Sequence, residues 1–356
     1  MRPELCRYTF RRLASTELSL VNDLYNKIYH CNRSGAQAEW LYRHNPYGEP
    51  LIIGAFDSSG QLVGMRPAIA SRLFWRGLQK PAYQFIDALV APQHRNKGIF
   101  THLVNLMCTL TRENNVATFS FSNDASASAY RKTALLSFLG RCETYVKVLS
   151  WPRYLGYQLR RELGRDGHGA DIHIQEDSPT ELDGGVSDGD MCLSPISRFD
   201  SDYEEVHAAL GRIVPSFTLR RKEFLNWRFF GSAERQYRVA VIQQSGRTQG
   251  YVAVRMIGPI AHLIDLFIVP DVWVDGRVAR LVSQWATELG AIAVHFNASE
   301  GNFFRGAFPL KVPVSRRAKT PNIFVDSTTV RYLASLQGRR VTLGDFYFVT
   351  GDRDSI

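Results

Sequence analysis

The chain has 356 residues, 45% of them hydrophobic and 12% aromatic, which is ample for packed cores and speaks against general disorder. That length suits two domains of about 150 residues each better than one. A balance of 43 basic to 34 acidic residues leaves a net charge of +9, which permits an anionic small ligand, a nucleic acid or a lipid surface without choosing among them.

In chain order, "STELSLVNDLYNKIYH" begins with Ser/Thr capping residues and spaces Leu18, Val21, Leu24, Tyr25 and Ile28 as one face of a helix. "QAEWLYRHNP" predicts a short helix stopped by Pro46. "LIIGAFDSSGQLVGMRPAIASRLFWRG" predicts two strands around an Asp-Ser-Ser-Gly turn. "YQFIDALVAP" is a mostly apolar strand, as expected at the centre of a sheet. "GIFTHLVNLMCTLTRENN" is an amphipathic helix, and "VATFSFSN" a strand. "DASASAYRKTALLSFLG" is expected as a helix capped by Asp124 and ending near Gly140.

Beyond residue 156 the character changes. "QEDSPTELDGGVSDGDM" is acidic, glycine-rich and without periodicity, so a flexible linker or a long loop is expected over 156–196. This divides the chain into an N-terminal domain, 1–155, and a C-terminal domain, 197–356. In the latter the order of the first half returns. "FIDALVAP" is answered by "LIDLFIVP", setting Asp87 against Asp265 and Pro92 against Pro270. Without a gap, Gly98 then falls on Gly276 and Leu103 on Leu281. Trp40 is answered by Trp227, Gly64 by Gly250, and "FSFSN" by "AVHFN". Two copies of one fold are the reading these matches support.

Five scattered cysteines, with no CxxC pair and no Cys/His cluster, give neither a disulfide framework nor a metal site. No apolar run approaches the roughly 18 residues of a membrane-spanning helix. The first residues, "MRPELCRYTFRRL", carry arginines where a secretory signal needs its apolar core. A cytoplasmic protein without membrane insertion is expected. The arginines form no aromatic-interleaved tract, so nucleic-acid binding is permitted and not indicated.

The segment "PQHRNKGIFTHL" joins the apolar strand to the amphipathic helix. Unpaired N–H groups and a partial positive charge gather at a helix start, and a glycine there admits a phosphate close to the backbone. Arg95 and Lys97 add charge-assisted contacts. From the residues alone, a phosphate is the expected ligand.

This loop resembles the Arg/Gln-x-x-Gly-x-Gly/Ala loop of the GCN5-related N-acetyltransferase (GNAT) superfamily, on Arg95-Asn-Lys-Gly98-Ile-Phe100. The order of elements around it is similar too, well over residues 1 to about 150 and more weakly from 197 onward. Phe100 departs from the pattern, where Gly or Ala is usual. The resemblance implies an α/β fold with mixed sheets, as two tandem GNAT-like acyl-CoA N-acyltransferase domains, the second degenerate. It implies acetyl-coenzyme A as cofactor, its pyrophosphate on the main chain of Ile99, Phe100 and Thr101. Leu89 and Val90 would pair with the pantetheine amides, and the strand holding Phe119 and Phe121 would splay away to admit it. Tyr130 occupies the position of the family's helix tyrosine beside the thioester sulfur, a candidate general acid for the departing thiolate. Asp87 is a candidate base for the acceptor amine, although its counterpart Asp265 also suits a structural role. Glu49, His94 and His102 are weaker candidates.

In the second copy Trp273 replaces Arg95, Asp275 replaces Lys97 and Asp271 adds a further acid. Such carboxylates would repel a diphosphate, so the first copy alone is expected to bind the coenzyme. Its acceptor is expected to be a small-molecule primary amine. "NPYGEP", "YRK" and "VTLGDFYFVTGDRD" resemble duplicated acetyltransferases acting on amino sugars of bacterial surface-polysaccharide pathways. Two alternatives stay open: an aminoacyl-tRNA-dependent transferase of the peptidoglycan-bridge type, and a non-catalytic binding module with a vestigial pocket.

Overall fold

The computed structural model of the protein describes residues 3–162, 184–232, 234, 236–273, 276–299, 310–311 and 321–348. Asp275, most of "NASEGNFFRGAF" and the end of "VTLGDFYFVTGDRD" lie outside them. The chain groups into two compact units. The first comprises Met1–Cys142, Val214–Glu234 and Lys319–Tyr347; the second comprises Glu143–Ile213, Arg235–Ala318 and Phe348–Ile356. This division is not sequential, so it does not coincide with the ranges 1–155, 156–196 and 197–356. The stretch read as a linker also holds structure at its ends, a helix Trp151–Glu162 and strands Val186–Asp188 and Met191–Ile196.

In the first unit a 3-10 helix at Pro3–Arg7 precedes strand β1 (Thr9–Arg12), then helices α1 (Leu18–Tyr29) and α2 (Gly35–Tyr42). Ser34 caps α2, its hydroxyl accepting from the Gln37 N–H at 3.0 Å. Strands β2 (Leu51–Phe56) and β3 (Leu62–Trp75) form the expected hairpin. Its turn is held by Asp57 Oδ1, which accepts from the N–H groups of Ser59 and Gln61, each at 3.0 Å. A two-residue turn, Arg76–Gly77 with φ of 46° and 89°, leads into β4 (Leu78–Phe85).

The sheet runs β1-β2-β3-β4-β6, with β6 at Ala117–Ser122, and ends in β7 (Leu136–Arg141). Between β6 and β7 lies Asn322–Asp326, a strand from far along the chain, antiparallel to both. β4 and β6 pair in parallel. Helix α3 (Ile99–Glu113) covers one face, burying Ile99, Leu103, Val104 and Met107 on one stripe against Ile53, Val63 and Phe85. On the other face α1 and α2 pack Val21, Leu24, Trp40 and Tyr42 against Ile52, Met65 and Ile69.

Two expectations change here. The predicted helix from Asp124 to Gly140 is a short helix, α4 (Asp124–Tyr130), followed by β7. "LLSFLG" becomes a strand because Asn322–Asp326 offers it a pairing edge, which local periodicity cannot reveal. The predicted central strand "YQFIDALVAP" is broken at residues 86–88 before resuming as β5 (Leu89–Val90). Asp87 sits in the break with φ of +43°.

Trp40 and Trp227, matched as counterparts in sequence, both belong to the first unit. Each indole Nε1 donates to the other's carbonyl at 2.8 Å, and the rings stack at 5.1 Å. They are core residues.

The second unit has its own sheet, in the order 310–311, 143–148, 293–298, 260–268, 247–257, 238–244, 191–196, 186–188. Here too one strand comes from the other half of the sequence, Glu143–Val148, inserted beside Ala293–Ala298. The strand Ile260–Ile268 leads through Pro270–Trp273 into helix Arg277–Glu288, the same strand–loop–helix order as β5 to α3.

Candidate functional site

The site is built where β5 ends. Pro92–His94 makes one turn of 3-10 helix, and the chain then passes through Asn96 (φ +64°) and Gly98 (φ +82°) into α3. Gly98 is the N-cap of α3, and its left-handed conformation is one a side chain tolerates poorly. The first amides of α3, those of Ile99, Phe100 and Thr101, have no carbonyl one turn earlier to accept them. Arg95 does not simply point outward: its Nε donates to the Val90 carbonyl at 3.1 Å, tying the loop to the strand end. That bond occupies the acceptor expected to meet a pantetheine amide.

β4 and β6 are paired from Ala82/Ala117 to Phe85/Ser120. Beyond Ser120 β5 pairs with β3 alone, so the two parallel strands part at this point. A cleft of about 870 Å³ opens there. Leu89, Val90, Arg95 and Gly98 through Thr101 line one side, and Asn123, Ser126, Ala129 and Lys132 line the other. Seven of the eight predicted cofactor residues thus meet around one opening; Lys97, half-buried on the same loop, is not among its lining residues. Lys132 is a cation that motif reading passed over, because it lies outside the loop pattern. A positive-φ glycine, a helix start and cations on both walls fit a diphosphate.

Phe100, the departure from the motif, turns its ring onto that of Tyr130, 5.7 Å away and stacked. The bulk is absorbed by packing and the backbone amide is unaffected. Tyr130 itself is 1% exposed, between Phe100 and Phe324, and is not among the lining residues. Its hydroxyl shares a hydrogen bond with Ser120, the residue at which the strands part. Burial pushes the Tyr130 phenol above its ordinary range, while the Arg66 guanidinium and Ser120 pull it back.

Asp87 is held at the break in the strand. Its Oδ2 accepts from Arg33 Nη1 at 2.6 Å and from the Tyr42 hydroxyl at 2.7 Å, and both members of the ion pair are about nine-tenths buried. Arg33 lies over the Tyr25 ring at 3.8 Å. The counterpart Asp265 likewise accepts from a tyrosine hydroxyl, that of Tyr251, at 2.7 Å. Both aspartates are therefore held by a tyrosine hydroxyl, a structural role. The histidines among the weaker candidates are engaged as well. His94 Nδ1 lies 3.0 Å from the Tyr8 hydroxyl, and burial lowers the pKa of His102, which packs on Phe10. Glu49 is exposed, and what accepts from the Tyr83 hydroxyl at 3.3 Å is its main-chain carbonyl, not its carboxylate.

In the second unit Gly276 (φ +73°) caps the helix Arg277–Glu288 as Gly98 caps α3. The cations of that helix start are taken by the chain's own carboxylates. Asp190 pairs with Arg277, and Asp188 with Arg280 at 2.9 Å. The Ser245 hydroxyl and Arg277 hold the Asp190 carboxyl down to about 2. With Asp271 exposed nearby, this helix start is dressed in negative charge. Among the described residues no cluster of His, Cys, Asp and Glu could hold a metal, and no helix is long and apolar enough to cross a membrane.

Residues 9–133 match the family described as acetyltransferase (GNAT) domain. Among curated proteins none matches the sequence. Solved structures that resemble the chain include a probable N-acyltransferase from Enterococcus faecalis V583, with TM-score 0.60 and 11% identity over 89% of this chain and 71% of that one. A GCN5-related N-acetyltransferase from Anabaena variabilis gives TM-score 0.58 and 11% identity over 90% and 72%. Saccharomyces cerevisiae N-myristoyltransferase, solved with bound myristoyl-CoA, gives 0.56 and 14% over 90% and 82%. At these identities the likeness is one of fold.

Proposed function

We propose, on the match of residues 9–133 to the GNAT domain family, that the chain is an N-acetyltransferase that uses acetyl-coenzyme A to acylate a primary amine. The observation that carries the reading is the cleft at the parting of β4 and β6, walled by the glycine-capped start of α3. When bound, the coenzyme supplies an activated acyl thioester. The amides of Ile99, Phe100 and Thr101 would hold its diphosphate, with Arg95 and Lys97 from the loop and Lys132 from the facing wall adding charge. Leu89 and Val90, at the strand end, would line the path of the pantetheine arm. The Val90 carbonyl is fully released to it if Arg95 swings from the strand toward the phosphates, a rotation that exchanges a neutral acceptor for an anionic one.

Tyr130 is the residue we propose to return a proton to the departing thiolate. Its hydroxyl is hydrogen-bonded to Ser120, where the two strands part, and in this role it would have to meet the leaving sulfur from beneath the cleft lining. Asp87, committed to Arg33 and Tyr42, serves the acceptor amine best by fixing the strand break; a proton-accepting role would require that network to open. The second unit, whose helix start is occupied by Asp188 and Asp190, keeps the fold without a coenzyme. Amino sugars are the acceptors to try first.

The test is a screen of amines and amino sugars with acetyl-coenzyme A, following release of free thiol. An acceptor should give amine-dependent thiol release, and Tyr130→Phe should lower kcat at least tenfold with little change in the KM for acetyl-coenzyme A. An unchanged kcat would remove Tyr130 from the reaction.

A further inference from the structure

A buried cation stands behind the proposed acid. Arg66, on β3, is 2% exposed, yet it lies in the core of the first unit and not in an exposed network. Its Cζ is 4.3 Å from the centre of the Phe85 ring and 5.2 Å from that of Tyr130. Its Nη1 donates to the Ile86 carbonyl at 3.5 Å. Phe85 is the last residue of β4 paired with β6, and Ile86 is the first beyond it. Arg66, Tyr130 and Ser120 therefore converge on one point, the apex at which the two strands separate.

Taking a guanidinium out of water costs several kcal/mol, which its neighbours must offset. A methionine or leucine would fill the same volume without that cost. What an arginine supplies is a fixed positive charge where the dielectric is low and its field strong. We propose that Arg66 is the electrostatic positioning residue of the transfer, stabilising the single negative charge that passes between the leaving sulfur and the Tyr130 oxygen. This rests on the coenzyme reading above. As the Tyr130 O–H bond breaks and an S–H bond forms, the charge moves from sulfur to phenolate. The proton released by the acceptor amine then restores the phenol, so no net charge remains. Arg66 lowers the energy of both charged partners without touching the substrate.

Other groups packed on Tyr130 do not duplicate this. Phe100 and Phe324 are apolar, and Ser120 is neutral. Cys108 on α3 is the other titratable neighbour, and burial pushes its thiol up to about 12, so it stays protonated.

The test is an ultraviolet titration of the coenzyme A thiol, free and bound to the wild-type protein, Arg66→Lys and Arg66→Gln. The bound thiol should titrate below the value measured for the free coenzyme in the same buffer. Arg66→Gln should reduce the thiolate fraction at a given pH about tenfold, with coenzyme affinity changed less than threefold; Arg66→Lys, which keeps the charge, should restore most of it. A wild-type complex whose thiol titrates at or above the free value overturns the proposal, whether or not the variants fold. So does an Arg66→Gln complex that titrates like wild type. Failure of the wild-type protein to bind coenzyme A is a different result, seen before any variant is made: it removes the coenzyme reading and this inference together.

Discussion

At the scale of single residues, the loop from Arg95 to Thr101 shows how much chemistry a short pattern carries. Glycine, helix start and flanking cation were each legible because each has a physical reason to be there. The burial of Tyr130 and the bond from Arg95 to Val90 were not, since side-chain direction depends on residues far away in sequence. Asp87 is the sharpest case. Its position before β5 suggested a base, and its surroundings make it one end of a buried ion pair at a backbone position with φ of +43°. Removing it leaves Arg33 charged and unpaired beside Tyr25 and Tyr42. Asp87→Ala is expected to cost about 3 kcal/mol in urea denaturation, with an effect on activity no greater than the loss of folded protein explains. Full stability with lost turnover would restore Asp87 as a base.

At the scale of elements, helices with strong stripes and hairpins with turn residues formed where the sequence placed them. The β2–β3 turn and α3 are examples. β7 did not, because what makes "LLSFLG" a strand is Asn322–Asp326, which lies nearly two hundred residues on. The same holds for Glu143–Val148, which joins the second unit's sheet. Pairing partners at such separations leave no local periodicity to read. That second sheet carries a consequence of its own. His262 and His295 are Cα partners on neighbouring parallel strands, with rings 5.3 Å apart. Burial is the main cause that lowers both to about 4, helped by Arg255 for His262 and by His262 and Arg161 for His295. Between an ordinary value of 6.5 and about 4, the unfolded chain binds protons that the folded one does not. Stability therefore falls as pH falls through that window, by on the order of 2–3 kcal/mol for each histidine. Denaturation at pH 7 and pH 4.5 should show it, and His295→Phe should flatten the dependence. An equal slope in the variant would mean that other groups carry it.

At the scale of the whole molecule, one strand–loop–helix order occurs in both units, and we propose a coenzyme site in the first alone. Gly98 and Gly276 cap their helices with nearly the same backbone conformation, φ of +82° and +73°. What differs is charge: Arg95, Lys97 and Lys132 in the first unit, against Asp188 and Asp190 upon the arginines of the second. The shared order was visible in sequence through its prolines and glycines. The acids at 188 and 190 were hidden in a stretch that looked like linker.

That asymmetry is best tested by calorimetric titration of coenzyme A into the wild-type protein, Arg95→Glu and Asp271→Ala. One site per chain is expected in the wild type, weakened at least tenfold by Arg95→Glu and unchanged by Asp271→Ala. Two sites per chain, none, or equal weakening by both substitutions would contradict a single coenzyme site in the first unit.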